Sequence, residues 1–365
     1  MSLRISSLVV AALGVGCVSS DLDGAAEDPH TSTVQQGLCG PYMCGTNSPQ
    51  IAEFGFWDLN LPPSLGVAGL PNNVGLTVVG FVQGGVLYLP RVVAGRLYAI
   101  SSGGTLSGAA LAGGWFYLRN GSRIFQLRVT DVSSVPSWAV PTSGVAPVLE
   151  DYHLDWTEFV NGHWGDFRNM CTNPPGREQS EILTMTGANI YRTLLFEGDR
   201  IDAAKKLDTG VDTTWFNLGC AGSALAKMAL TGHTEASRVA GTFDTTLAER
   251  QTMLKMLAAD YCGDGTPFTV AGQPLNWRDD KGTMKLTALL FSPPQPLVLE
   301  SRWNELGPVC LNKARVDVHW TLLGWNTFGA DVYDQAKSWC PSRFPPPCAD
   351  SSFDTAGYHL LSATP

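Results

Sequence analysis

Charged residues are scarce in this chain of 365 residues, where they make up 16% of the sequence. Acidic residues outnumber basic ones by 33 to 24, and Lys205-Lys206 is the only basic doublet. Neutralising a phosphate backbone takes clustered Lys and Arg side chains. The composition therefore argues against a nucleic-acid partner.

Long apolar runs are also missing. Beyond the N-terminus no stretch approaches the ~18 uncharged apolar residues of a transmembrane helix. The chain begins MSLRISSLVVAALGVGC, in which the single cation Arg4 precedes the uncharged stretch from Ile5 to Gly16. This pattern is typical of an export signal. We expect residues 1–16 to be a signal of the lipoprotein type.

Cys17 follows this signal, and Gly16 before it is the small residue that a lipoprotein peptidase requires. The usual leucine three positions before the cysteine is replaced by Gly14, so ordinary cleavage nearby is the alternative. The other eight cysteines are an even number and can all pair, which leaves Cys17 as the odd one. This favours lipidation of Cys17, because an unpaired thiol in an exported protein is reactive. We expect Cys17 to carry a membrane anchor at the bacterial cell envelope, at the outer membrane, or else the protein to be secreted.

Several catalytic signatures are absent from the sequence. It has no G-x-S-x-G elbow, no H-E-x-x-H zinc pair, and neither a P-loop nor a dinucleotide fingerprint. Asp260 and Asp264 lack the alternating ligand spacing of a calcium loop. We therefore predict neither a metal nor a cofactor.

Cysteine, in contrast, is abundant. Eight cysteines follow Cys17 and form an even set that an oxidising compartment would pair. These disulfide candidates are Cys39, Cys44, Cys171, Cys220, Cys262, Cys310, Cys340 and Cys348. The Cys39/Cys44 spacing is not that of a zinc knuckle, and we expect a local disulfide loop there, within an anchor and tether over residues 17–50.

Residues 51–165 alternate short apolar segments with glycines, which predicts a β-rich antiparallel domain, a sandwich or a barrel. Asn120-Gly121 lies between WFYLR and SRIFQLRV and is a strong two-residue hairpin signal. In the second segment Phe125, Leu127 and Val129 alternate with polar residues, as in a half-buried strand.

Residues 166–350 are predicted to form a mixed domain, followed by a tail over 351–365, so the expected fold class is α+β. One helix is expected from Leu218 to Leu230, and a second to begin at the capping box of Thr246 and Glu249. Two antiparallel helices of equal length would place Cys220 opposite Cys262. A disulfide there would contribute about 3–4 kcal/mol.

The segment Ala259-Asp260-Tyr261-Cys262, followed by GDGTPFTVAGQPL, resembles the signature of the ADYC-domain proteins, which are bacterial and best represented among myxobacteria. The resemblance extends to FNLGCAGSALAK at 216–227 and to PVCL at 308–311, and covers most of residues 75–340. It implies an exported, cysteine-rich domain without an established activity. We expect Tyr261 to bury its ring and to use its hydroxyl in a hydrogen bond.

The alternative is a cysteine hydrolase or amidase that acts on envelope peptide or glycan material. Cys220 would stand in the first turn of a helix, where the dipole lowers the pKa of a thiol. His319 would be the base, oriented by Asp331 or Asn326. A disulfide at Cys220 would remove this nucleophile.

We therefore expect a binding or structural role for the chain, with a membrane reached through the N-terminal lipid and an envelope protein or glycan as partner. Most of the eleven Trp residues should be core anchors. The alternative is that some of them line a carbohydrate or peptidoglycan groove, where ring faces stack on sugars.

Overall fold

In its described part, the computed structural model shows mainly antiparallel strands, together with three short α-helices whose bounds are defined. The described residues are 48–138, 147–171, 192–203, 205–221, 223–268, 275–280, 284–285, 298–314, 318–321, 324–327, 337–353 and 357–364. The predicted export signal, Cys17 and the Cys39/Cys44 loop lie outside them, as does Asp331.

The strands, numbered along the chain, are β1 (Gln50–Ile51), β2 (Phe54–Gly55), β3 (Asp58–Asn60), β4 (Thr77–Gln83), β5 (Val86–Val93), β6 (Arg96–Ser101), β7 (Gly104–Ser107), β8 (Trp115–Asn120), β9 (Arg123–Pro136), β10 (Val148–Val160), β11 (His163–Trp164), β12 (Arg168–Asn169), β13 (Arg192–Asp202), β14 (Leu207–Cys220), β15 (Asn276–Asp279), β16 (Met284–Lys285), β17 (Val298–Asn304), β18 (Gly307–Leu311), β19 (Val318–Thr321), β20 (Gly324–Thr327) and β21 (Leu360–Thr364). The helices are α1 (Ala224–Leu230), α2 (Glu235–Val239) and α3 (Leu247–Ala258).

Twelve of these strands form one large antiparallel sheet. Its path runs β3-β14-β13-β10-β9-β8-β4-β5-β6-β7, and β11 and β12 pair with β10. The expected β-rich antiparallel architecture is confirmed. The domain boundary predicted after residue 165 falls between β10 and β13, two strands that pair within this sheet.

The large sheet folds back on itself and encloses a first core. Phe116 on β8 stacks on Phe216 on β14 with ring centroids 5.9 Å apart, although the two strands are not neighbours in the sheet. The Tyr152 hydroxyl accepts a hydrogen bond from the Leu97 backbone N–H at 2.8 Å, which joins β10 to β6. Apolar side chains from both layers fill the space between them, as in a sandwich.

The predicted β8–β9 hairpin is confirmed, with its turn one residue further along the chain. Asn120 pairs with Arg123, so the two loop residues are Gly121 and Ser122. Gly121 has φ +57° at the first loop position, where type II′ turns favour glycine. Phe125, as predicted from the alternation, points into the core.

A second core lies between the helices, the outer face of β13 and β14, and a five-stranded sheet of order β16-β15-β21-β17-β18. The longest helix, α3, contacts β14 on one side and β17 and β21 on the other. It is buried all round, from Glu249 to Ala258. This position places the segment after α3 in the interior of the protein.

The expected helix hairpin is only partly present. The capping box at Thr246 and Glu249 is confirmed at the start of α3. The first helix, however, begins at Ala224, and the expectation that it begins near Leu218 was wrong, because Leu218 pairs with Leu195 of β13. A strand buried on both faces reads as a continuous apolar run, and such a run does not distinguish strand from helix.

Among the described residues, no helix has the length and apolar character needed to cross a membrane.

Candidate functional site

The tetrad at 259–262 follows α3 directly and turns the chain sharply. Ala259 has φ +52°, in the left-handed region in which helices commonly end. Gly263 has φ +68°, and a Cβ there would lie 2.6 Å from the carbonyl oxygen of Leu306. Position 263 requires glycine, since both the backbone conformation and the close contact exclude a side chain.

Asp260 of the tetrad forms a buried ion pair. Its Oδ2 lies 2.6 Å from Nζ of Lys255 and accepts a hydrogen bond from the Gly265 N–H at 2.8 Å. The Lys255 ammonium also donates to the carbonyls of Lys205 and Gly263, each at 3.2 Å. Burial raises the pKa of Asp260, and the charge of Lys255 opposes this rise. The pair ties the last turn of α3 to the turn that follows it.

Tyr261 is fully buried, as predicted from the motif. Its ring stacks on Phe268 and Trp303, with centroid separations of 5.6 and 5.8 Å. The hydroxyl donates to Oε1 of Glu300 at 2.6 Å, a carboxylate that is itself fully buried. Tyr261 thereby joins the tetrad to strand β17, with its polar end satisfied.

Six of the eight predicted disulfide cysteines are bonded in the described part of the chain. The bonds are Cys171–Cys220, Cys262–Cys340 and Cys310–Cys348. The expected Cys220–Cys262 pairing was wrong, because Cys220 ends strand β14 rather than beginning a helix. The motif cysteine, Cys262, instead fixes the tetrad to the C-terminal segment.

The residues of the alternative thiol mechanism are not brought together by the described structure. Cys220 is fully buried, and its sulfur is bonded to that of Cys171. A disulfide sulfur is not a thiolate nucleophile. His319 lies on β19 opposite Asn326 on β20, and only their backbones are described. Asp331 lies outside the described residues.

Arg250 on α3 is the centre of a second buried polar cluster, which we call the Arg250 network. Its Nε lies 2.7 Å from Oδ1 of Asp199, and one Nη lies 3.1 Å from Oε2 of Glu235. The other Nη donates to the carbonyl of Thr245 at 2.8 Å. The side chain of Asp208 approaches the same Nε at 3.9 Å and is buried as well. Four ionisable side chains from two strands and two helices thus meet in the interior.

Asp208 is the unusual acid in this network. Burial, together with the negative charge of Asp199 and a hydrogen bond with it, raises the pKa of Asp208 to about 8. Its Oδ1 accepts a hydrogen bond from the Gly210 N–H at 3.0 Å. At neutral pH, Asp208 is therefore the protonated partner that shares its proton with Asp199.

The stability of the protein should consequently fall as pH rises from 6 to 8. The folded state keeps the proton on Asp208 up to about pH 8, whereas the unfolded chain has lost it near the ordinary value of 3.8. Between these two pKa values unfolding releases a proton, so the free energy of unfolding falls by about 1.4 kcal/mol for each unit by which the pH rises. Asp208→Asn, which mimics the neutral acid, should flatten the curve of unfolding free energy against pH, measured by urea denaturation. The exposed Asp166→Asn is the control, and parallel curves for Asp208→Asn and wild type would contradict the assignment.

One mixed cluster in the described structure has the residue types of a metal site. Ligand atoms of Glu249, Asp280 and His359 lie within 4.8 Å of one another. Carboxylate and imidazole groups are ligands that suit Zn²⁺. Glu249, however, already accepts a hydrogen bond from the Thr246 N–H in the capping box. Nδ1 of His359 lies 3.5 Å from Oδ2 of Asp280. These contacts give the cluster a structural role, and we assign no ion to it.

Four aromatic rings in contact lie on the outer face of the large sheet, and we call this group the aromatic patch. Its members are Trp115, Tyr117, Phe159 and Trp164. The centroid of Trp164 lies 5.1 Å from that of Phe159 and 6.1 Å from that of Trp115, and Tyr117 follows at 5.9 Å from Trp115. Trp164 is 40% exposed and Phe159 39%. Phe159 and Trp164 are exposed, while Trp115 and Tyr117 are half-buried, and this contiguous apolar surface makes the patch a candidate interaction site.

The strand pattern explains why these rings face outward. On β8, the inward residues Phe116 and Leu118 are fully buried, so the alternate residues Trp115 and Tyr117 take the outer face. On β10, Phe159 pairs with Trp164 of β11 in the short hairpin that closes over the sheet.

The hairpin that carries Trp164 is held firmly. The Thr157 hydroxyl donates to the carbonyl of Gly165 at 2.7 Å, and the Gly165 N–H donates to the carbonyl of Glu158 at 3.0 Å. Thr157 is fully buried beneath the hairpin. The patch is therefore preformed on a sheet rather than carried by a loop.

The sequence alone gave little indication of this site. His163-Trp164-Gly165-Asp166 is exposed in the structure, with His163 and Trp164 in the short strand β11. What identifies the patch is the register that brings β8 and β11 together over β10, a contact between residues about 50 positions apart. The available signal was the number of Trp residues, eleven, most of which were expected in the core.

Comparison with known proteins gives one match. A family model of the ADYC domain matches residues 108–317, more than half of the chain. This range includes the tetrad, the Arg250 network and all four rings of the aromatic patch. No curated protein and no solved structure shows a significant match.

Proposed function

Since this chain belongs to the ADYC-domain family, a family recognised by the tetrad rather than by an activity, we propose its role from the surface it presents: it is a binding protein of the bacterial cell envelope. The observation that carries this proposal is the preformed, solvent-facing aromatic patch. A concentration of exposed rings is the feature that distinguishes interaction surfaces from the remainder of a protein surface.

An envelope location is supported by several features. Three disulfides are typical of exported proteins. The sequence of residues 1–16 reads as an export signal, and Cys17 stands where the lipid would be attached. In this proposal the lipid holds the protein at the outer membrane, and the polar residues up to about 47 form a tether that lets the folded part reach its partner.

The tetrad supports the fold that displays this surface. Its ion pair, its stacked tyrosine and its disulfide are all buried. Each of them joins α3 to another part of the chain. The family signature accordingly has a structural role, and the surface carries the interaction.

The proposal is tested by measuring how much purified protein is retained on envelope fragments from the native cells. The double variant Phe159→Ala/Trp164→Ala should lose at least tenfold in apparent affinity, because truncating Trp side chains at the centre of an interface costs about 2 kcal/mol or more. Trp339→Ala is the matched control, since Trp339 is 45% exposed but lies outside the patch. Equal retention of the two variants would refute the proposal.

A further inference from the structure

We infer that the loop between β3 and β4 is a membrane-contact element, whose tip lies in the apolar layer of a lipid surface when the protein is held there. Residues 62–71, with the sequence PPSLGVAGLP, form this element, and we call them the apolar loop. The inference goes beyond the partner binding proposed above and concerns a different surface of the molecule.

The apolar loop exposes three aliphatic side chains. Leu65 is 48% exposed, Val67 50% and Leu70 62%. All residues from 63 to 68 are exposed as well. A single exposed leucine is ordinary on a protein surface. Three aliphatic side chains within six positions form a local apolar surface, and such surfaces mark contacts with another protein or with a membrane.

Charge is absent from this part of the chain. None of the 32 residues between Asp58 and Arg91 is Asp, Glu, Lys or Arg, although these residue types make up 16% of the sequence. Moving an unpaired charge from water into lipid is costly. The apolar loop and the strand that follows it therefore carry no charged side chain that would oppose entry into the apolar layer.

Hydrogen bonds within the protein satisfy the backbone at the base of the loop. The two terminal nitrogens of Arg91 donate to the carbonyls of Pro62 and Pro63, at 2.8 and 3.1 Å. The Leu70 N–H donates to Oδ1 of Asn60 at 2.7 Å. The cation that ends the uncharged stretch is thus bound to the backbone of the loop. Such internal partners are what backbone groups need where lipid replaces water.

The tip of the loop is held in the same way. The Val67 N–H donates to the carbonyl of Ser64 at 3.2 Å, and the Gly69 N–H to the carbonyl of Val78 at 2.8 Å. A Cβ at position 69 would lie 2.5 Å from the carbonyl oxygen of Asn60, so the loop packs closely on the end of β3. The apolar loop is therefore preformed, which limits the conformational entropy lost on contact with a surface.

The exposed groups fit lipid better than a protein or a sugar. Ser64 carries the only polar side chain among residues 62–71. Protein interfaces contain about one hydrogen bond per 100–200 Å², and their energetic centres are rich in Trp, Tyr and Arg. A glycan needs donors and acceptors for its hydroxyl groups. The apolar loop offers no ring and a single hydroxyl, whereas acyl chains require neither.

A tether makes a contact of this size effective. In the envelope location proposed above, the lipid at Cys17 lies 33 residues before β1 begins at Gln50. A flexible chain of this length has a root-mean-square span of about 30 Å. Holding the loop this close to the membrane gives it a roughly millimolar effective concentration. An aliphatic contact that would be weak for the free protein is then populated.

The test places an environment-sensitive fluorescent dye on the loop of tethered protein. The chain from Val18 onwards carries an N-terminal hexahistidine tag and is bound to phosphatidylcholine vesicles that contain a chelating lipid. The tag supplies the tether, so the result does not depend on lipidation of Cys17. Ser64→Cys carries the dye at the tip of the apolar loop. Glu305→Cys carries it at the exposed turn between β17 and β18, as the control.

On the vesicles, the emission of the dye at position 64 should shift to the blue and lose most of its quenching by iodide, with neither change at position 305. Leu65→Ser/Val67→Ser/Leu70→Ser, added to Ser64→Cys, should restore the quenching. Leu306→Ser, which removes an exposed leucine outside the loop, should not. High salt should leave the result unchanged, because the loop carries no charge.

Equal quenching at position 64 on vesicles and in solution would overturn the inference. Protection from iodide that is already present without vesicles would overturn it too, because another part of the chain or a second copy would then cover the loop. Neither result bears on the aromatic patch, whose variant Phe159→Ala/Trp164→Ala is measured by retention on envelope fragments. Failure of this inference and failure of the proposed function are therefore distinguishable.

Discussion

Arg250→Met is expected to lower the free energy of unfolding by about 3–5 kcal/mol, because removing one partner leaves buried charge uncompensated. The side chains of Asp199 and Glu235, which Arg250 contacts, are 0% and 3% exposed. Methionine fills much of the same volume, so the loss should come from the carboxylates rather than from a cavity. Urea denaturation followed by circular dichroism measures it.

Arg238→Met is the matched control for this experiment. Arg238 also contacts Glu235, but its side chain is 44% exposed, so water replaces much of what it provides. Its removal should have a much smaller effect. The double variant Arg250→Met/Asp199→Asn should recover part of the loss, and strictly additive effects of the two changes would show that Arg250 and Asp199 are not coupled.

Removal of the Cys262–Cys340 disulfide, by Cys262→Ser/Cys340→Ser, should cost about 4–5 kcal/mol in the loop-entropy model. The two cysteines are 78 residues apart, and the bond holds the tetrad against the C-terminal segment. Cys310→Ser/Cys348→Ser is the comparison, with a separation of 38 residues. By loop length alone, removal of this second disulfide should lower the free energy of unfolding by only slightly less.

A larger difference between these two pairs would show that the tetrad adds to the effect of the first disulfide, since its ion pair lies next to Cys262. The contrary result would be a double serine variant at 262 and 340 that unfolds at the urea concentration of the wild type. The bond would then contribute nothing to the folded state. The midpoint and the slope of the transition are to be compared together, because a disulfide also restricts the unfolded chain.

The parts of this fold that the sequence predicted well are those set by neighbouring residues. The β8–β9 hairpin follows from Asn120-Gly121 with alternating segments on either side. The start of α3 follows from a capping box that spans three residues. In each instance the determining contacts lie within a few positions along the chain.

The parts that were missed depend on contacts between distant residues. Cys220 pairs with Cys171, and the choice between that partner and Cys262 depends on whether residues 218–220 form strand or helix. A run that is buried on both sides gives no periodicity from which to decide. Parity predicted that the cysteines would pair, and only the fold determines which ones.

The candidate site shows the same division. Trp164 and Trp115 are each unremarkable in their own segments, and only the sheet brings them together. The Arg250 network likewise joins residues of β13, β14, α2 and α3, with no spacing that would announce it. Such sites are visible only after the chain is folded, whereas the tetrad is visible in the sequence because its residues are contiguous.

The region that defines the family is not a self-contained folding unit. Residues 108–317 lack β3 to β7, which close the first core, and lack β21, the strand between β15 and β17 in the five-stranded sheet. They also lack Cys340, the partner of the tetrad cysteine. A polypeptide cut to these limits would have open edges at β14, β8, β15 and β17 and two unpaired thiols, Cys262 and Cys310, and open edges favour aggregation. Recognition of the family by sequence and autonomy in folding therefore have different boundaries, and the smallest cooperative unit extends beyond the signature at both ends.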